Sequence, residues 1–135
     1  MKTLFLDFDG VLHTQSDSSV KPFGRLPLLE AELSGHHLHI VISSSWRFHF
    51  EWSEIKNRLG QLSPLVVGCT GEALMSRHAR FEEILQYASD HQITDWRALD
   101  DAWMEFPEGE PRLIRCDPRL GLHTQQLEEL RRWLA

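Results

Sequence analysis

Near its beginning the chain reads Leu4-Phe5-Leu6-Asp7-Phe8-Asp9-Gly10-Val11-Leu12, an apolar run that ends in two carboxylates and a glycine. The apolar run predicts a buried strand, and Gly10 supplies the backbone freedom that a tight turn needs. In open α/β sheets, ligands bind outside the carboxyl ends of the strands. The position of Asp7 and Asp9 therefore favours a chemical role, although Asp-Gly is also a common turn signal.

Two further apolar runs end in polar side chains. Ile40-Val41-Ile42 leads into Ser43-Ser44-Ser45-Trp46-Arg47, and Trp96-Arg97-Ala98-Leu99 leads into Asp100-Asp101. Taken alone, the serines are consistent with a helix cap and the two acids with the first turn of a helix. Because three predicted strands end in such groups, we expect these groups to meet at one edge of the sheet.

Strands and helices are predicted to alternate along the chain. The predicted strands lie near residues 3–8, 38–43, 64–69, 95–100 and 111–116, and the predicted helices near 26–34, 50–60, 78–91 and 124–134. Units of about 30 residues predict right-handed crossovers and a parallel sheet. The expected fold class is α/β, a three-layer Rossmann-like sandwich with a five-stranded parallel sheet. At 135 residues, without a linker or repeat, we expect a single domain over residues 1–135.

Composition narrows the classes of partner. The formal net charge of −6 argues against a general affinity for nucleic acid, so any recognition of phosphate must be local. Cys69 and Cys116 form no Cys-x-x-Cys pattern, which favours free thiols in a reducing compartment. The sequence shows no secretory signal and no apolar run long enough to span a bilayer. We therefore expect a soluble, cytoplasmic protein without a membrane partner, and its oligomeric state stays open.

The ordered set of motifs resembles a known superfamily. Asp-x-Asp-Gly-Val-Leu, then an apolar strand closed by serine, then an apolar strand closed by Asp-Asp, is similar to the haloacid dehalogenase (HAD) phosphohydrolases. Ser-Ser-Ser-Trp-Arg, Leu-Asp-Asp and the late Gly-Leu turn also resemble the small HAD domains associated with Swiss-army-knife RNA repair proteins. The resemblance implies the expected fold and an enzyme, a phosphatase that uses Mg²⁺ as its cofactor.

The resemblance also implies a role for each acid. Asp7 corresponds to the nucleophile that forms an aspartyl-phosphate, and Asp9 to the general acid and base. Asp7, the backbone carbonyl of Asp9 and the distal acid pair would hold the metal ion. Within that pair, Asp101 is expected to be the direct ligand and Asp100 to act through water.

The phosphate-binding residues follow from the same resemblance. Ser43 matches the phosphate-binding hydroxyl of the family, and Ser44 would add an amide or a second hydroxyl. The family also needs a basic residue at the start of the helix before the fourth strand. Arg80 is the favoured candidate and Arg77 the alternative, although the family usually has lysine there.

The substrate is predicted from the absence of a cap. HAD enzymes that act on small metabolites commonly carry a cap domain after the first or third strand, but here residues 13–24 and 70–76 are too short to form one. An open site suits bulky phosphate esters such as nucleic-acid ends or phosphorylated proteins, unless a neighbouring subunit closes it. A nucleotide or nucleic-acid end is the favoured substrate. Arg47 would then contact a substrate phosphate and Trp46 would stack on a base, although a tryptophan beside a strand end is more often part of the core.

Two alternative functions stay open at this stage. One is a small-metabolite phosphatase or phosphotransferase whose site is closed by oligomerisation. The other is a catalytically silent module that binds phosphate. The intact set of acids argues against the silent module, because such a module has no use for Asp9.

Overall fold

The computed structural model describes residues 1–14 and 22–135, so part of the first predicted cap position, residues 15–21, lies outside the described residues. The strands are β1 (Lys2–Leu6), β2 (Leu38–Ile42), β3 (Val66–Cys69), β4 (Trp96–Asp100) and β5 (Leu113–Arg115). The α-helices are α1 (Leu26–Leu33), α2 (Trp52–Asn57), α3 (Ala79–Asp90) and α4 (Thr124–Leu134). Short 3₁₀ helices span Ser45–Phe48, Gly60–Leu65 and Trp103–Glu105. None of the helices in the described ranges is long and apolar enough to cross a membrane.

The sheet has the order β3-β2-β1-β4-β5, and all neighbouring strands are parallel. This confirms the predicted five-stranded α/β fold, and no cap domain is present in the described part of the chain. The chain adds β2 and β3 on one side of β1 before it returns to place β4 and β5 on the other. Strand order therefore reverses between β1 and β4, which is where doubly wound sheets form their binding crevice.

The core lies on both faces of the sheet, because its central strand is buried on both sides. Leu4 and Leu6 point to one face, where they pack in a cluster with residues of α1 and α4. Phe5 points to the opposite face and belongs to a second cluster with residues of α3 such as Ile84. This alternation of side chains along β1 produces the three layers of the sandwich.

The region between β2 and β3 differs from the prediction. A helix is present within the predicted range 50–60, but it is shorter than predicted, because α2 covers only Trp52–Asn57 and stands between two 3₁₀ helices. In α2 only Ile55 is buried, so the helix has little apolar surface to extend it. Gly60, with φ +53°, starts a 3₁₀ helix that contains Pro64, and β3 therefore begins at Val66 rather than at residue 64.

Two glycines with left-handed backbone conformations differ in how closely other atoms pack around them. Gly121 has φ +69°, and a Cβ there would lie 2.9 Å from the Val11 carbonyl oxygen, whereas Gly35 has φ +81° and nothing within 4 Å. Conformational strain costs alanine about 1–2 kcal/mol at either position. We expect Gly121→Ala to lower the free energy of unfolding by more than Gly35→Ala, measured by urea titration. Equal losses would show that the contact with Val11 does not matter.

Candidate active site

Three carboxylates meet at the switch point between β1 and β4. One oxygen from each of Asp7, Asp100 and Asp101 lies within 4.8 Å of the others, and all three side chains are buried. The parallel register brings them together, because Leu6 pairs with Leu99 and the next residue of each strand follows at the same edge. The structure therefore groups three of the four acids that the sequence singled out.

Arg80 supplies a positive charge to this cluster. Its Nη1 atom lies 2.7 Å from Asp100 Oδ2 and 3.5 Å from Asp7 Oδ1. Burial alone would lower the pKa of Arg80, but the two carboxylates raise it above its usual value, so the guanidinium stays charged. Arg77, the alternative from the sequence, lies in a neighbouring cleft instead.

One arginine does not balance three buried acids. Burial raises the pKa of Asp7 well above its ordinary value, the charge of Asp100 raises it further, and Arg80 offsets only part of this. Burial also raises the pKa of Asp101, and a hydrogen bond between these two carboxyl groups favours the proton on Asp7. Buried carboxylates are costly unless they are paired or bind a metal ion. The cluster therefore has excess negative charge that a cation would neutralise.

The donor set fits a hard divalent cation, which prefers carboxylate oxygens. Asp100 already accepts hydrogen bonds from Arg80 and, at 2.9 Å, from the backbone N–H of Ala102. Asp7, Asp100 and Asp101 together offer one oxygen each to such an ion. Gly10, with φ +78°, allows the Asp101 carboxylate to lie against the turn after β1, because a Cβ at residue 10 would overlap that carboxylate.

Asp9 lies beside the cluster rather than in it. Its side chain is 46% exposed, its Oδ1 atom lies 2.7 Å from His13 Nε2, and its Oδ2 atom accepts the Trp46 indole N–H at 3.2 Å. The Phe23 backbone N–H donates to His13 Nδ1 at 3.2 Å, which places the proton of the neutral imidazole on Nε2. Asp9 thus accepts two oriented N–H groups while it lines a cleft of about 360 Å³ with Asp7.

Trp46 fits the core interpretation that the sequence offered, and it also makes a polar contact at the site. Its ring packs with Phe8, Phe23 and Phe50, at centroid distances of 5.6, 5.2 and 4.5 Å, so it belongs to the edge of the core. Its indole N–H nevertheless points to Asp9. Sequence reasoning missed this contact, because spacing along the chain does not show where a side chain points.

The serines after β2 take different positions. The Ser43 hydroxyl is buried and has no hydrogen-bond partner among the described residues. The Ser44 hydroxyl accepts the Trp46 backbone N–H at 3.1 Å and caps the 3₁₀ helix. Ser45, which the sequence did not single out, is exposed and lines the cleft with Asp7.

The Arg47 side chain is buried behind residues 43–45, the serine loop that follows β2. Its guanidinium donates to the carbonyl oxygens of Ser43 at 3.0 Å, Ser44 at 2.8 Å and Gly71 at 3.0 Å, and to Glu83 at 2.8 Å. The Arg47 and Glu83 side chains are only 4% and 6% exposed. In the structure Arg47 thus holds backbone carbonyls, and it is not among the residues that line the cleft with Asp7. The expected contact between Arg47 and a substrate phosphate stays a prediction.

The parallel sheet, its switch point and the buried carboxylates are the features that the resemblance to HAD phosphohydrolases implied. A family model described as the HAD domain in Swiss Army Knife RNA repair proteins matches residues 3–127. The chain belongs to this family, which confirms the resemblance. No curated protein and no solved structure matches the chain significantly.

The raised pKa of Asp7 predicts how the metal-free protein responds to pH. A carboxyl whose folded-state pKa exceeds its ordinary value of 3.8 stabilises the fold while it is protonated, and this contribution is lost as the pH rises through the folded-state pKa. In EDTA, we expect stability to fall more steeply as the pH rises above about 4 in the wild type than in Asp7→Asn.

Urea titrations at a series of pH values measure this difference. Asp117→Asn is the matched control, because that exposed carboxyl pairs with Arg119, which lowers its pKa. Its removal should not flatten the fall in stability. Parallel curves for the wild type and Asp7→Asn would contradict the assignment of excess charge to Asp7.

Proposed function

We propose that the protein is a divalent-metal-dependent phosphatase that hydrolyses phosphate monoesters through an aspartyl-phosphate on Asp7. The observation that carries the proposal is the burial of Asp7, Asp100 and Asp101 beside Arg80 at the switch point. Membership of a HAD family supports hydrolysis of phosphate esters. Mg²⁺ is the proposed cofactor.

In the first step, an Asp7 oxygen attacks phosphorus and the bond from phosphorus to the leaving oxygen breaks. Protonated Asp9 gives its proton to that oxygen. Asp9 then takes a proton from water, the water oxygen attacks phosphorus, and the bond from phosphorus to Asp7 breaks. Inorganic phosphate leaves, and both carboxyl groups return to their starting state.

Asp7, Asp101 and the Asp9 backbone carbonyl would hold the ion, with Asp100 acting through water. When bound, the ion neutralises negative charge on the carboxylates and on the incoming phosphate. Asp100 lies 2.7 Å from Arg80 Nη1 through its Oδ2 atom, and this contact orients Arg80 toward Asp7. That position allows the guanidinium to donate to phosphate oxygens while Asp7 attacks.

The phosphate oxygens need further donors. Ser43, which directly follows β2, is the proposed donor, because its buried hydroxyl has no other partner in the described residues. Ser44 would add its backbone N–H, since its hydroxyl already caps the 3₁₀ helix. Arg47 acts as a positioning residue that holds the carbonyl oxygens of both serines.

Asp9 must present a proton toward the leaving oxygen. Each carboxyl oxygen has two lone pairs, so Asp9 can carry a proton and still accept hydrogen bonds from His13 and Trp46. These two donors fix the plane of the carboxyl group. We propose that they are positioning residues for the acid.

The proposed substrates are phosphorylated nucleotides or nucleic-acid ends. The description of the family as a domain of RNA repair proteins supports this class. A cleft without a cap in the described residues also admits a bulky ester. Substrate identity is tested with para-nitrophenyl phosphate, nucleoside monophosphates and oligonucleotides phosphorylated at the 3′ or 5′ end, with Mg²⁺ or EDTA.

Substitution of the two acids separates their roles. We expect Asp7→Asn to abolish hydrolysis and phosphoenzyme formation, and Asp9→Asn to slow turnover by roughly 10²- to 10⁴-fold while phosphate binding persists. Asp90→Asn, which alters an exposed carboxyl on α3, should leave turnover unchanged. Activity that survives in Asp7→Asn would mean that water attacks phosphorus directly. If the wild type hydrolyses none of these esters, the proposal is overturned.

Trp46→Phe tests the orientation of Asp9 while keeping an aromatic ring. Loss of one hydrogen bond to a charged group corresponds to a decrease of about tenfold or more in a rate constant. We therefore expect the kcat of Trp46→Phe to fall by about tenfold, with little change in KM. His13→Phe should act in the same direction. Phe50→Leu, which changes a ring stacked on Trp46 but donates nothing to Asp9, is the control. Equal kcat in Trp46→Phe and the wild type would exclude the positioning role.

A further inference from the structure

A second and larger cleft lies next to the catalytic cleft, which is the one that Asp7 and Asp9 line. Its volume is about 630 Å³, compared with about 360 Å³ for the catalytic cleft, and Trp103 and Met104 line both. Trp103 follows Asp101 by two residues, so their Cα atoms are at most about 7.6 Å apart. A ligand whose reacting group lies at the carboxylate cluster can therefore extend directly into this second cleft.

The second cleft is locally basic on a chain whose net charge is −6. Arg77 and Arg115 line it and are exposed, and neither has an ion-pair partner within residues 1–14 and 22–135. Its carboxylates are Glu108 and Glu110, but Glu110 pairs with Arg112 at 2.7 Å. Within the described ranges, two guanidinium groups without an ion pair therefore line the cleft with one carboxylate, Glu108, that has none, which favours an anionic ligand.

Trp103 gives the cleft an aromatic surface. Trp103 is 50% exposed, although most of the large apolar residues that the structure describes are buried. The Arg115 guanidinium carbon lies 4.7 Å from the Trp103 ring centroid, which supports the ring from one side. An exposed indole beside unpaired arginines combines stacking with phosphate binding, the two contacts by which proteins hold single-stranded nucleic acid.

We propose that this cleft binds the nucleotide next to the phosphorylated end of a single-stranded nucleic acid. The base stacks on Trp103, and Arg77 and Arg115 bind the phosphodiester that follows. This proposal rests on the proposed function for the position of the end phosphate. It moves strand binding away from Trp46 and Arg47, whose polar groups contact Asp9 and the serine loop.

The first experiment measures the cleft without catalysis. The probe is an unphosphorylated, fluorescein-labelled pentanucleotide in EDTA at low salt, in RNA and DNA forms, and binding is followed by fluorescence anisotropy. A base–aromatic stack corresponds to roughly 5- to 150-fold in affinity. We expect Trp103→Ala to weaken binding by that factor. Trp52→Ala, which removes a 39% exposed tryptophan on α2, is the matched control and should leave the affinity unchanged.

A strand with an abasic residue at one end tests the stack from the side of the ligand. We expect the missing base to weaken binding to the wild type by the same factor as Trp103→Ala. It should weaken binding to Trp103→Ala no further, because the stack is already lost. The wild-type comparison requires no protein variant, so it stands even if Trp103→Ala folds poorly.

Salt dependence tests the arginines. Loss of one phosphate contact on a single strand reduces the slope of log affinity against log salt by about 0.7. We expect Arg77→Ala combined with Arg115→Ala to reduce the slope by about that amount. Arg132→Ala, which removes an exposed arginine of α4 outside both clefts, should leave it unchanged.

The outcomes separate this proposal from the proposed function. Strand binding that is insensitive to Trp103→Ala, equal effects of the abasic residue on both proteins, or tighter binding of an acidic pentapeptide would each overturn the nucleotide site. Asp7-dependent hydrolysis would remain untouched by those results. Strand binding that depends on Trp103 in a protein without phosphatase activity would support the site and refute the phosphatase.

Discussion

The burial of three carboxylates at the end of two neighbouring strands is the constraint on which the rest of the structure depends. Parallel pairing of β1 and β4 places Asp7 beside Asp100 and Asp101. Such a group persists in a protein interior only with compensating positive charge or with a proton on one of its carboxyl groups. Arg80 supplies part of that charge, and the glycine turn after β1 leaves room for Asp101 to approach. We propose that a divalent cation supplies the rest of the positive charge.

Helix α3 connects this cluster to the loop that follows β2. Arg80 and Glu83 lie three residues apart, which places them on one side of the helix. Arg80 contacts the carboxylates, whereas Glu83 holds Arg47 and also accepts the Leu74 backbone N–H at 3.1 Å. One helix therefore positions both the acids and the backbone around the serines. The proposed acid, Asp9, is oriented separately by groups that follow β1 and β2.

The sequence predicted the sheet because mostly apolar strand-like runs alternate with helical patterns, and it predicted the carboxylate cluster because two of those runs end in acids. It did not predict the roles of Trp46 and Arg47. A local pattern shows which chemical groups follow a strand, whereas burial of Arg47 depends on Glu83, which lies 36 residues away. His13 was missed for a related reason, since its tautomer depends on a bond from Phe23. The short helix α2 was overpredicted because periodic apolar residues continue into a 3₁₀ helix.

The stereochemical course at phosphorus tests the central claim most directly, because it counts the displacements in each turnover. A phosphate monoester made chiral with sulfur and oxygen isotopes is hydrolysed in isotopically labelled water, and the configuration of the thiophosphate product is determined. Each in-line displacement inverts the configuration. Attack by Asp7 followed by attack of water on the phosphoenzyme predicts overall retention. Overall inversion would contradict a covalent intermediate on Asp7.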